Sequence, residues 1–243
     1  QIGAGRALAP KDMAFPSYRE HGVAWCRGID PTELLGIFRG TDQGGWDSRA
    51  TRFHLYTIVI GNQCLNATGY AMGQKFESKV GEGPDAEATM CFFGDGATSQ
   101  GDVHEGFVWA AVYDAPVVFY CQNNQWAISE PTERQTRVPL YKRAQGYGFP
   151  GIRVDGNDVL ACLAVSRWAL EECRTGNGPV LAITEGLLIY LPESAVAPLA
   201  RELHDVARAR WWLTDLASPQ LLKMLAKGWS PGGLRDNAPF VFG

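Results

Sequence analysis

The sequence lacks long apolar runs and clusters of positive charge. Its longest apolar runs, such as APVVFYC at 115–121, are far shorter than the roughly 20 residues that a membrane-spanning helix needs. Lys and Arg are scattered along the chain and the formal net charge is −4, so no basic patch points to nucleic acid. We therefore expect a soluble protein that binds neither a membrane nor DNA or RNA.

The sequence also lacks closely spaced cysteine pairs. Its six cysteines, at positions 26, 64, 91, 121, 162 and 173, include no C-x-x-C pair, and several lie inside apolar runs. This usage indicates buried, reduced thiols more than zinc ligands or disulfides. We expect a reducing compartment, the cytoplasm in preference to the mitochondrial matrix of a eukaryotic source.

The 243 residues, 46% of them hydrophobic, are sufficient for one large or two small domains. The sequence begins QIGAGRALAP, without Met and without a charged-then-apolar signal pattern. We expect that a further N-terminal segment precedes it in the natural protein.

Two unbroken apolar runs, 87–93 and 116–122, have the length and composition of strands covered on both faces of a parallel sheet. Helical spacing between them predicts one right-handed βαβ unit. A short strand in GIRVDGND, a helix ending near Gly176 and a strand in PVLAIT continue the alternation. The pattern predicts an α/β fold over 1–185: a doubly wound, mainly parallel sheet with helices on both faces.

Other segments give less regular signals. The pattern from Met13 to about Phe38 is helical, TIVI at 57–60 resembles an apolar strand, and the next segment predicts a helix packed closely through Gly69. Residues 186–243 differ in character, because a helix-like stretch is followed by a Pro/Gly-rich tail. We expect them to form a separate, divergent C-terminal segment.

Small polar residues follow both predicted inner strands. Gly94, Asp95 and Gly96 come after the first, and Asn123 and Asn124 after the second. Ligands of open parallel sheets bind at the carboxyl ends of strands, and a carboxylate with an amide oxygen suits a magnesium ion that holds a diphosphate. The glycines would let the backbone turn tightly and approach a phosphate. GDG alone is a weak motif that matches many ordinary turns.

The spacing makes the pair more specific. The 26 residues numbered 97–122 separate GDG from NN, and this arrangement resembles the thiamine diphosphate motif of thiamine-dependent enzymes. FPSYREHG, GDGATSQGDVHEGFVWAAVYDAPVVFYCQNNQWAIS, GYGFPGIRVDGNDVLA and GNGPVL follow in the order found in alpha subunits of 2-oxo acid dehydrogenases. The chain is similar to this family from about Phe15 to Leu181, which implies the thiamine diphosphate-binding fold.

The resemblance implies specific site residues. Magnesium would be held by Asp95, the Asn124 side chain and the main-chain carbonyl of Trp126. The backbone of Gly94, Gly96 and Ala97 would line the diphosphate site.

Further residues come from two other segments. Tyr18 and Arg19 would bind the diphosphate oxygens, and the backbone at Ile58 and Ile60 would meet the aminopyrimidine ring. Some family members bind potassium beside this last segment, where Thr57 and Gln63 are the candidates in this chain. Without the family, Tyr18 and Arg19 are equally consistent with a helix-surface pair.

The four histidines differ in their support. His21 follows Tyr18 and Arg19 closely, and the resemblance assigns it a position near the reacting centre. His54, His104 and His204 have no supporting pattern, and we expect structural or surface roles for them.

The resemblance implies oxidative decarboxylation of a 2-oxo acid, with acyl transfer to a lipoyl group. The chain would act as the alpha subunit of an α2β2 component with a beta subunit and a lipoyl acyltransferase core. VDGND and WAIS favour a branched-chain substrate, whereas His21 favours pyruvate. We favour the branched-chain substrate slightly. Acetoin-cleaving relatives share the cofactor site. AITEGLLIYLPESAVAPLAREL departs from the family's histidine loop, so a noncatalytic scaffold is the remaining alternative.

Overall fold

A computed structural model describes residues 1 to 185 of the chain. The segment predicted at 186–243, including His204, lies outside the described residues. The proposed domain boundary at 185 therefore stays a prediction.

The described region alternates helices and strands. The helices are α1 (Ile2–Ala7), α2 (His21–Cys26), α3 (Pro31–Arg39), α4 (Ser48–Thr51), α5 (Asn62–Phe76), α6 (Gly101–Val112), α7 (Thr132–Gln135), α8 (Arg143–Tyr147) and α9 (Val159–Arg174). The strands are β1 (Met13–Phe15), β2 (Thr89–Gly94), β3 (Val117–Asn123), β4 (Trp126–Ala127), β5 (Glu130–Pro131), β6 (Gly151–Asp155) and β7 (Val180–Glu185). Two 3-10 helices cover Asp95–Ser99 and Leu140–Lys142.

Five of the strands form one parallel sheet in the order β1-β2-β3-β7-β6. Helix α6 connects β2 to β3 on one face, where Phe107 joins the core with α5. Helix α9 connects β6 to β7 on the opposite face, where Leu170 joins a second core with α1 and α2. The predicted doubly wound α/β fold is confirmed.

The inner strands supply both cores by alternation. Phe93 and Phe119 lie in the core beneath α5 and α6, whereas Phe92 and Tyr120 lie in the core beneath α9. All four side chains are buried. Because successive side chains of a strand point to opposite faces, a strand covered on both sides must be apolar throughout. This explains the two unbroken apolar runs.

Two short segments differ from their predictions. Met13–Phe15 is the edge strand β1 and not the start of a helix. Its backbone pairs in register with β2, and its three side chains are buried. No strand covers 57–60 within the described residues, and Ile58 is 79% exposed. The three residues of β1 are too few to show the period of a strand. The β-branched residues at 57–60 resemble a strand in composition although they lie in a loop.

The predicted close packing at Gly69 is also wrong, although helix α5 itself is confirmed. Gly69 is exposed, and a Cβ there would meet nothing within 4 Å. The close approach occurs at Gly106 on α6, where a Cβ would lie 3.4 Å from the backbone of Cys64. Helical spacing in the sequence predicted both α5 and α6, but not which of the two helices carries the glycine at their contact.

None of the helices among residues 1 to 185 is long and apolar enough to cross a membrane. All six cysteines lie in this region as free thiols, and five of them are buried.

Candidate functional site

The carboxyl ends of β2 and β3 lie side by side in the sheet. Gly94 at the end of β2 pairs with Gln122, one residue before β3 ends at Asn123. Asp95 and Asn124 directly follow these positions, so parallel pairing brings the two predicted magnesium ligands together. Burial raises the pKa of the Asp95 carboxyl, and the nearby backbone N–H of Asn124 opposes this effect.

Asp95 is a buried carboxylate held by neutral donors. It is 2% exposed, and its Oδ2 accepts a hydrogen bond of 3.0 Å from Nε2 of Gln135, at the end of α7. Burial raises the pKa of Asp95, and the charge of Glu185 acts in the same direction, whereas the hydrogen bonds lower it. No Lys or Arg among residues 1 to 185 forms an ion pair with this carboxylate.

Asn123 and Asn124 have different partners. Asn123 donates from Nδ2 to Oε2 of Glu185 at 2.9 Å, which joins β3 to β7. Oδ1 of Asn124 accepts from the backbone N–H of Trp126 at 3.0 Å. Asn124 and Trp126 therefore belong to one tight turn, whose intervening residue Gln125 has φ 67°. Asn123 fixes the strand end, and Asn124 is the one beside Asp95.

The backbone turns directly after β2 into the 3-10 helix Asp95–Ser99, and neither glycine of GDG has a positive φ there. A Cβ on exposed Gly94 would meet only the carbonyl oxygen of Gln122, at 4.0 Å. A Cβ on Gly96 would lie 2.8 Å from Cβ of Ala127, so Gly96 is required for close packing against β4. Ala97 follows with its side chain in the core.

Tyr18 and Arg19 lie on a turn between β1 and α2, not on the surface of a helix. Tyr18 is half-buried and Arg19 exposed, and the guanidinium carbon of Arg19 lies 5.2 Å from the centre of the Tyr18 ring. The following residue, Glu20, is 1% exposed. Its carboxylate accepts from the backbone N–H of Ser17 at 2.7 Å, so the turn closes on a buried charge.

Glu20 also reaches β3. Its Oε1 accepts a hydrogen bond of 2.6 Å from Nε2 of Gln122, two residues before Asn124. Burial raises the pKa of Glu20, against the opposing effect of hydrogen bonds from Ser17, Gln122 and Arg19. This carboxylate therefore joins the Tyr18-Arg19 turn to the strand that carries Asn124.

The loop before α5 lies beside the same turn. The backbone N–H of Thr57 donates to the carbonyl of Ser17 at 2.8 Å, and Ile58 and Ile60 are exposed beyond it. Gln63 is buried and donates to the carbonyl of Phe92 at 3.0 Å. Its Oε1 has no hydrogen-bond partner within the described region.

His21 begins α2, directly after the turn. Its Nδ1 forms a hydrogen bond of 2.7 Å with the hydroxyl of Tyr56, whose pKa is raised by burial and by the charge of Glu20. His104 contacts the hydroxyl of Tyr147 and the carbonyl of Thr98, and so supports the 3-10 helix after Asp95. His54 stacks on Phe15 at 4.8 Å. His54 and His104 have the structural roles that were predicted.

The site holds few charged groups that could bind a metal unaided. Residues 1 to 185 contain no cluster of three or more His, Cys, Asp or Glu side chains able to hold a metal ion. Asp95 and Asn124 fit magnesium only if other oxygens, such as those of a diphosphate, complete the coordination.

Sequence reasoning missed four polar residues at this edge of the sheet. They are Glu20, Gln122, Gln135 and Glu185. Two of them had a signal, because Glu20 directly follows Tyr18 and Arg19, and Gln122 directly precedes Asn123 and Asn124. Gln135 and Glu185 come to the site only through α7 and β7.

The chain is similar to known proteins in sequence and in fold. Residues 1–185 match the family model described as dehydrogenase E1 component. The 3-methyl-2-oxobutanoate dehydrogenase subunit alpha of Mycobacterium tuberculosis is 48% identical over 183 residues, 74% of this chain and 48% of that protein. The pyruvate dehydrogenase E1 component subunit alpha of Acholeplasma laidlawii is 36% identical, over 74% of this chain and 51% of that protein.

The chain spans about half the length of these two relatives. Among solved structures, a transketolase from Campylobacter jejuni shares the fold, with a TM-score of 0.56 at 18% identity over 75% of this chain and 32% of that one. The resemblance drawn from the sequence motifs is confirmed, and this chain belongs to the dehydrogenase E1 component family.

Proposed function

We propose that the chain is the alpha subunit of a thiamine diphosphate-dependent 2-oxo acid dehydrogenase. The adjacency of Asp95 and Asn124 at the ends of β2 and β3 carries the proposal, because the two side chains would supply two of the oxygen ligands of a magnesium ion. A branched-chain 2-oxo acid is favoured over pyruvate, since the relative at 48% identity is a 3-methyl-2-oxobutanoate dehydrogenase subunit.

The residues of this chain would divide the work of cofactor binding. Asp95, Asn124 and the carbonyl of Trp126 would hold magnesium, and Tyr18 and Arg19 would bind the diphosphate. The backbone of Gly94, Gly96 and Ala97 would line the same site. The bound thiamine diphosphate would supply the electron sink for decarboxylation, which no side chain can provide.

Two further roles concern the loops around the turn. The backbone at Ile58 and Ile60 would contact the aminopyrimidine ring. His21, whose ring is oriented by its hydrogen bond to Tyr56, would lie near the reacting centre. The buried oxygen of Gln63, together with Thr57, would bind a potassium ion.

The partners would be a beta subunit in an α2β2 component and a lipoyl acyltransferase core that accepts the acyl group. We place this assembly in the cytoplasm. The noncatalytic alternative rests on the departure of the sequence from the family's histidine loop after Glu185.

The test is reduction of an artificial electron acceptor by the full chain co-purified with its beta subunit, with magnesium and thiamine diphosphate. We expect turnover, faster with 3-methyl-2-oxobutanoate than with pyruvate, and none in the Asp95→Ala variant. A stable complex that binds the cofactor but turns over neither substrate would overturn the catalytic proposal and favour the scaffold.

A further inference from the structure

Glu20 is a buried carboxylate with an unusual set of partners. Its two oxygens accept from the backbone N–H and the Oγ of Ser17, at 2.7 and 2.9 Å, and from Nε2 of Gln122 at 2.6 Å. Within the described region no Lys or Arg forms an ion pair with it. A carboxylate buried without a cation is destabilising, so its presence in this chain points to a use beyond folding.

The geometry shows what Glu20 holds in place. Ser17 and Glu20 are the two ends of a turn whose middle residues are Tyr18 and Arg19. The carbonyl of Ser17 also accepts from the backbone N–H of Thr57 at 2.8 Å, so the loop that leads to Ile58 is anchored to the same turn. The carboxylate thus fixes the base from which these side chains and backbone groups extend.

The bond to Gln122 sets where the turn lies. Strand β2 lies between β1 and β3 and ends at Gly94, which has no side chain. Gln122 alternates with Val118 and Tyr120, so it faces the side of the sheet covered by α2. Glu20, at the start of α2, therefore ties the turn to the strand that leads into Asn124.

We propose that Glu20 is a positioning residue for the cofactor diphosphate, because it holds the Tyr18-Arg19 turn at the strand ends beside Asp95 and Asn124. This rests on the proposed function. Glu20 acts through its neighbours and contacts neither the diphosphate nor the metal. Its loss should weaken diphosphate binding while leaving the chemical step of the saturated enzyme nearly intact.

The experiment measures the Kd of thiamine diphosphate and of inorganic diphosphate, each with magnesium, by titration calorimetry of the full chain with its beta subunit. We expect Glu20→Gln to raise both Kd values about tenfold, the lower end of losses typical for groups that orient a binding shell. The kcat at saturating cofactor should stay within about twofold, a separation that general loss of structure would not produce.

Two further variants make the result specific. Glu87→Gln makes the same chemical change at another buried glutamate, which lies before β2 at the opposite end of the sheet and pairs with Arg52 at 3.0 Å. It should leave both Kd values unchanged. Exchanging the partners in Glu20→Gln/Gln122→Glu restores an amide–carboxylate pair and should recover at least half of the lost affinity on a logarithmic scale.

The outcomes separate this inference from the proposed function. If the wild-type complex binds no thiamine diphosphate, the proposed function fails. If it binds and Glu20→Gln binds equally well, or if Glu87→Gln weakens binding to the same extent, Glu20 has no positioning role. Should Glu20→Gln fail to fold, Ser17→Ala removes one of the same hydrogen bonds with a smaller change, and an unaltered Kd there overturns the proposal.

Discussion

Buried carboxylates have different kinds of partner at the two ends of the parallel sheet. Asp12 precedes β1 and forms an ion pair with Arg174, and Glu87 precedes β2 and pairs with Arg52. At the carboxyl ends, Glu20 and Asp95 accept hydrogen bonds from amides, backbone N–H groups and a hydroxyl. No ion pair to either carboxylate exists within the described residues.

We infer from this difference that the carboxylates at the amino end of the sheet serve folding, and that those at the carboxyl end serve the proposed binding site. An arginine partner balances the negative charge of a buried carboxylate. Such a carboxylate contributes to a stable fold and is not available to bind a ligand. Burial raises the pKa values of Glu20 and Asp95, because it disfavours the charged form of a carboxyl group. At Asp95, the positive charge of a bound magnesium ion would favour the ionised form.

The largest expected effect is at the amino end of the sheet. Asp12→Asn removes the charge that compensates Arg174, which is itself largely buried. Loss of one partner of a buried pair should lower the free energy of unfolding by about 3 kcal/mol. Denaturant unfolding of the full chain measures this. Cofactor affinity should not change, and a shift in Kd above about twofold would contradict the division between the two ends.

The matched change at the carboxyl end is Asp95→Asn. The amide keeps the size of the side chain but offers no negative charge to magnesium. We expect the Kd of thiamine diphosphate with magnesium to rise at least about a hundredfold, ~2.8 kcal/mol. The unliganded chain should be no less stable, because the ionised carboxylate was unfavourable there. Calorimetric titration and thermal unfolding test the two effects, and a marked loss of stability would count against a binding role.

The two glycines of GDG should also separate stability from binding. Gly96→Ala places a Cβ 2.8 Å from that of Ala127 and should lower the free energy of unfolding by about 1–2 kcal/mol, because β4 must move. Gly94→Ala meets open space and should leave stability unchanged. If the cofactor approaches this backbone, Gly94→Ala should still weaken its binding. Unaltered binding in Gly94→Ala would mean that the cofactor does not pass close to this residue.

Removal of the amide that holds Asp95 is expected to have a smaller effect on binding. Gln135→Ala deletes the donor to Oδ2 of Asp95 and leaves the carboxylate less well oriented. We expect magnesium-dependent binding of thiamine diphosphate to weaken about tenfold. Arg134→Ala, at the neighbouring exposed position, is the control and should have no effect. Equal losses in both variants would indicate disruption of α7.

The smallest effect concerns pH. The raised pKa of Glu20 means that the folded chain holds its proton more tightly than the unfolded chain does. Stability from this group is therefore complete below the ordinary glutamate pKa of 4.5 and is lost as pH rises through the higher folded value. Glu20→Gln should become more stable relative to wild type as pH rises through this window. Thermal unfolding across pH 4 to 8 measures the difference, and a constant difference would contradict the shift.

Much of the fold was predictable from local patterns. The apolar runs at β2 and β3 and the helical spacing between them determine a buried parallel unit, since a strand covered on both faces must be apolar throughout. Asp95 and Asn124 were predictable as a pair for the same reason, because parallel strands finish at the same edge. The three-residue strand β1 and the exposed loop at Ile58 were not predictable, because neither contains enough residues to show the period of a helix or a strand.

The amino-acid sequence alone was sufficient to predict the succession of β2, α6, β3, β6, α9 and β7, the family, and which polar residues directly follow the inner strands. Which carboxylates have a cation as partner depends on the tertiary structure. Glu20 and Glu87 are both glutamates, but Arg52 reaches only the second, from a loop 35 residues away in the chain. Gln122 reaches Glu20 across 102 residues. Such long-range contacts depend on how helices and strands pack, which no local pattern encodes, and they distinguish the proposed binding end of the sheet from the opposite end.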